Sequence, residues 1–128
     1  MAKRETFGEF LRAQRLRAGL GLRAFAEAAG LQPSNLSNIE HGRIPAPQDR
    51  ATLEEFASLL GLQPGSAERE KLFDLAVAGK DRLPADVAAF AARTPGIPVL
   101  LRTIEKRGLT PEELARLTQA INTWRKTT

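Results

Sequence analysis

Gly19, Gly30, Gly42 and Gly61 punctuate the first half of this 128-residue chain, each closing a run of apolar residues spaced as on one face of a helix. Phe7, Phe10 and Leu11 stand at i, i+3 and i+4 behind Thr6, a good N-cap, and Gly19 stops that run. Phe25, Ala26 and Ala29 form a second, shorter face from about Leu22, closed by Gly30. Pro33 suits a first helical position, since its missing N–H would be unpaired there anyway. It opens a third segment with Leu36 and Ile39 inward and Gly42 as its stop. Prolines 45 and 47 then enforce an extended loop. Leu53, Phe56, Ala57 and Leu60 define a fourth helix, ended by Gly61. Ser66 caps a fifth, running to about Ala78 with Leu72, Leu75 and Ala76 or Val77 facing in.

The remainder continues the pattern. Pro84 begins an alanine-rich helix that Thr94-Pro-Gly96 breaks, and Pro98 opens another carrying Val99, Leu100, Leu101 and Ile104. Thr110-Pro-Glu-Glu113 is a capping-box start, followed by Leu114, Leu117, Ile121 and Trp124 on one stripe. No segment alternates as a strand would, so the chain reads as all-α. The expected organisation is a five-helix domain over residues 1–80 and a three-helix C-terminal segment over residues 81–128.

Composition narrows the function. A hydrophobic share of 42% supports a packed core. With no cysteine there is neither a disulfide nor thiolate chemistry, which fits a cytoplasmic protein. No apolar run approaches membrane-span length. The net charge of +4 favours a polyanionic partner. His41 is the sole histidine, no acidic pair has a catalytic spacing and no glycine-rich phosphate loop follows a strand, so neither enzyme activity nor a metal or cofactor is expected.

The stretch Gly19–Arg43 joins two short amphipathic helices by a tight turn at Gly30. With Leu11, Arg15, Gly19-Leu20, Phe25-Ala26, Gly30, Leu36, Ile39-Glu40, Gly42 and Leu53 in that order, it resembles the helix-turn-helix of the Cro/C1-type repressors. The resemblance covers about residues 5 to 78. It implies a lambda-repressor-like domain that binds double-stranded DNA with its third helix in the major groove.

On this chain the matching base-reading positions are Ser34, Asn35 and Asn38, where Asn can pair with adenine and Ser with several bases. Ser and Asn also favour helical first turns, so capping and solvation suit them too. Arg43, Ser37, Arg23 and Arg17, with Arg12 beside them, are the phosphate candidates that the resemblance implies. Arg15 and Glu40 match the family's buried ion pair and are expected to be structural. The chain departs from the family at Gly21 and Gln32, which replace capping hydroxyls, at Leu22, which replaces a polar phosphate contact, and at Pro33, which removes one possible base reader.

Three short helices bury little by themselves. The C-terminal segment either packs back on its own chain or meets a second copy through Leu114, Leu117, Ile121, Trp124, Val99, Leu100 and Ile104. A homodimer is the expectation, because a two-fold operator needs two recognition helices. LPADVAAF and VLLRTIEKRGLTPEEL also resemble the dimerisation segments of repressors that a regulatory metallopeptidase inactivates. The expected function is a dimeric transcriptional repressor. The alternative is an antitoxin whose C-terminal helices bind a toxin, with DNA binding as autoregulation.

Overall fold

A computed structural model describes residues 4–124 as eight α-helices with no strand among them. They are α1 (Phe7–Arg17), α2 (Leu22–Ala28), α3 (Pro33–Glu40), α4 (Arg50–Leu59), α5 (Ala67–Ala76), α6 (Ala85–Arg93), α7 (Ile97–Arg107) and α8 (Pro111–Thr123). The chain divides into two compact units, Met1–Ala89 and Phe90–Thr128, so the division falls inside α6.

Helix starts follow side-chain chemistry. Thr6 and Glu9 form a capping box on α1, and Thr110 and Glu113 form another on α8. Ser66 accepts from the Arg69 N–H at 3.1 Å, and Asp49 from the Thr52 N–H at 3.0 Å. The Thr52 hydroxyl adds a 2.6 Å bond, and these bonds hold the Asp49 carboxyl below the ordinary aspartate range. The stops of α1 to α4 share one geometry. After α3, the Gly42 N–H donates to the Ile39 carbonyl at 3.1 Å and the Arg43 N–H to the Asn38 carbonyl at 2.8 Å, a Schellman turn. Gly42 sits at φ 73°, a region that a side chain disfavours. The same pair of bonds recurs after α1, α2 and α4.

In the first unit the core is contiguous. Phe25, Phe56, Phe73, Leu11, Leu36, Leu53 and Leu72 are all completely buried, and Phe25 meets Phe56 edge to face at 5.4 Å. On α5 the buried residues are Leu72, Phe73 and Ala76, whereas Leu75 and Val77 are half-buried. The inward face of α5 is thus rotated toward Phe73, over which the Arg69 guanidinium lies at 5.0 Å. In the second unit Ala91 alone is buried among the described residues.

Candidate nucleic-acid interface

α3 is built with two unlike faces. Leu36, Ile39 and Glu40 are buried, while Ser34, Ser37 and Asn38, at i, i+3 and i+4, share the opposite face. Ser34 is exposed, and Ser37 and Asn38 are half-buried. Asn35 is exposed as well, but its spacing carries it round to the edge of that face. Gln32, at the N-cap, makes no side-chain capping bond, and neither does Gly21 before α2. Leu22 is half-buried against the core, so its position belongs to packing rather than to the surface.

What fixes α3 in place is a charge pair and a glycine. Arg15 Nε donates to Glu40 Oε2 at 2.7 Å, and its Nη2 to Glu40 Oε1 at 3.0 Å. Arg15 Nη1 also reaches the Leu20 carbonyl at 3.0 Å, so one guanidinium ties α1, the turn before α2 and the end of α3 together. Hydrogen bonding to Glu40 raises the Arg15 pKa above its ordinary value against the opposing effect of burial. Gly8 of α1 lies against the Ile39 and Glu40 carbonyls so closely that a Cβ there would overlap them. A glycine inside a helix is unfavourable by itself, and this close approach is what it permits.

The basic candidates separate. Arg43 is exposed directly after α3, and its Nη1 approaches Asn38 Oδ1 at 3.4 Å. The Schellman turn therefore sets the anchoring candidate beside a reading one. Arg12 and His41 line an open groove of about 530 Å³ between α1 and the end of α3. His41 Nδ1 lies 2.8 Å from the Ser37 carbonyl, which requires the proton on Nδ1 and leaves Nε2 outward. Arg17 borders grooves formed with the α4–α5 turn and with Glu68 of α5 instead, so it is not brought to the α3 groove that Arg12 lines. Arg23 is exposed in the first turn of α2.

Two positioning residues carried no signal in the sequence reading. Gly8 was hidden among the apolar residues of α1. Gln48, in the proline loop, donates from Nε2 to the Ala76 carbonyl at 2.7 Å and to the Ala46 carbonyl at 3.1 Å, and so pins the loop after α3 to the end of α5. Gly8 stands in the first turn of α1, where a glycine gives as little warning in sequence as a loop glutamine does.

Of the C-terminal candidates, Leu100 and Ile104 share one face of α7 by their spacing, together with Ile97 and Leu101, whereas Val99 falls outside it. Val99 is 62% exposed. Leu114, Ile121 and Trp124 are exposed along α8, and Leu117 is half-buried. No helix among the described residues is long and apolar enough to cross a membrane.

A family model described as a helix-turn-helix domain matches residues 6–72, more than half of the chain. No curated protein and no solved structure matches. The matched span holds α1 to α4 and the first part of α5, with the Arg15–Glu40 pair, the Gly30 turn and the polar face of α3 all inside it. The chain belongs to the helix-turn-helix family, of the Cro/C1-like type.

Proposed function

We propose that the protein is a sequence-specific, double-stranded-DNA-binding transcriptional regulator, a cytoplasmic dimeric repressor whose activity is binding rather than catalysis. The observation that carries this reading is the face of α3. Ser34, Ser37 and Asn38 are turned outward together, while Leu36, Ile39 and the Glu40–Arg15 pair lock the opposite side. A helix so held presents hydrogen-bonding side chains to base edges without a reordering cost at binding. Ser34 and Asn38 are the principal readers and Asn35 a peripheral one. Arg43, Arg12 and Arg23 anchor phosphates, which fixes register without reading sequence.

Repression follows from occupancy of a promoter by a dimer whose two recognition helices lie about 34 Å apart, one turn of DNA. The test is anisotropy binding to the DNA upstream of the protein's own gene, with scrambled duplex as competitor, at two salt concentrations. Binding that survives the competitor supports the reading. Binding lost equally to any duplex sinks it, because charge alone would then account for the affinity.

A second reading, an antitoxin that neutralises a partner enzyme, draws on the exposed apolar residues of α7 and α8. A stoichiometric second protein that copurifies and loses its activity in the complex would favour it.

A further inference from the structure

Leu114, Leu117 and Ile121 on α8 and Trp124 at its C-cap follow one another at offsets of three, four and three residues. This is the a/d spacing of a heptad seam, and it reads the same from either end of the helix. Leu114 is 36%, Ile121 50% and Trp124 77% exposed. Leu117, Ala120, Ile121 and Trp124 line a groove of about 300 Å³ on that stripe.

Resting on the dimeric reading above, we infer that this stripe is the two-fold seam, with α8 packed antiparallel on α8 of a second copy, Trp124 over Leu114 and Ile121 over Leu117. Three features of the chain select that partner and that direction. First, the mirrored spacing sets an apolar residue of the second copy opposite every apolar residue of the stripe when the helix is reversed. Second, the reversed pairing makes layers of similar bulk, each joining a leucine to a larger or branched side chain. The leucines of the second copy then enter the groove beside Trp124. A parallel pairing stacks tryptophan on tryptophan at one end and leucine on leucine at the other, which fills space unevenly. Third, Glu112 and Glu113 occupy the first turn of α8. Parallel helices bring four carboxylates together at one end. Antiparallel helices set the carboxylates of the two copies at opposite ends and oppose the helix dipoles.

The absence of cysteine makes the test clean. Leu114→Cys and Trp124→Cys chains, distinguished by a tag, are oxidised separately and then mixed. In the antiparallel seam the two Leu114 positions are separated by about ten residues of rise, roughly 15 Å, well beyond the reach of a disulfide. The expected result is a disulfide-linked heterodimer on mixing, with little linkage of either chain alone. Sedimentation of the unsubstituted chain is run beside it, with Ile121→Asp expected to shift a dimer to monomer while its circular dichroism is kept. Ready linkage of each variant with itself would establish a parallel seam and overturn the inference while leaving the dimer intact. A dimer that neither mixing nor Ile121→Asp affects would place the interface elsewhere and overturn it too. A monomeric chain would remove both the seam and the dimeric reading, and DNA binding by that monomer would still be scored separately.

Discussion

The two units spend similar kinds of residue in opposite ways. In the first, three phenylalanines and four leucines are sealed from solvent within α1 to α5. In the second, α7, α8 and the cap residue Trp124 carry leucines, isoleucines and a tryptophan at good helical spacing, yet Ala91 alone is buried there among the described residues. Among the described residues the closest helix–helix packing lies among α1 to α5. An amphipathic pattern therefore states that a helix has an apolar face, not that the chain itself covers it. Five helices enclose a core, and two helices have too few sides to do so.

The sharpest break of this comparison is a matched pair of truncations. Phe25→Ala in the first unit should cost about 3–5 kcal/mol, and Leu101→Ala in the second should stay within about 0.5 kcal/mol. Urea unfolding of both, at a protein concentration low enough to keep the chain monomeric, measures the difference. Equal losses would mean that the second unit has a core of its own.

Next in size is the buried pair. Glu40→Ala leaves the Arg15 guanidinium charged and unpaired inside the first unit, at a cost of about 3–5 kcal/mol. Replacing both residues, Arg15→Met with Glu40→Leu, should recover most of that stability. Failure to recover would show that the Leu20 carbonyl bond of Arg15 matters more than the pair.

On the proposed DNA-facing surface, Asn38→Ala should reduce discrimination at one base pair by about 1–3 kcal/mol, read by competition against single-substitution duplexes. Arg43→Ala should weaken all duplexes and lower the salt slope by about one. Uniform loss for Asn38→Ala would remove it from the readers.

The smallest effect concerns acid groups of the first unit. Burial, with Asp86 and Glu70 adding repulsion, raises the Asp74 pKa above the ordinary aspartate value, and Asp86 Oδ1 is buried without a hydrogen-bond partner. A carboxyl whose folded pKa is raised favours folding while it is protonated, and that contribution is lost as pH rises through the folded value. Asp74→Asn should therefore stabilise the protein slightly near neutral pH, with the advantage vanishing below the aspartate range. A thermal melt series across pH checks it, and a constant offset at all pH values would contradict the cause.

Much of the first unit was legible because its rules are local. The N-caps Thr6 and Ser66 and the helix stops at Gly19, Gly30, Gly42 and Gly61 follow from neighbouring residues alone, as does the N-cap Thr110 in the second unit. The role of Arg15 and Glu40 came from the family resemblance, since two charges 25 positions apart announce nothing by spacing. Three things depended on neighbours in space and stayed hidden. One is the Gly8 approach to α3. Another is the turn of α5 that buries Phe73 more fully than Leu75. The third is the division of the arginines, with Arg12 beside the end of α3 and Arg17 beside α5. Each follows from the rotation of a helix about its axis, which a one-dimensional pattern leaves free by a fraction of a turn.

The turn at Gly42 has a consequence for descent with modification. Its two hydrogen bonds run back to Asn38 and Ile39, so Arg43 keeps a constant offset from the outward face of α3 whatever side chains stand at 34 and 38. Anchor and reader are thereby geared together but chemically independent. Under the proposed function, exchange of two side chains readdresses the protein to a new site while the way it seats on the duplex is inherited unchanged. Lengthening or shortening the turn by one residue, by contrast, would alter every site at once.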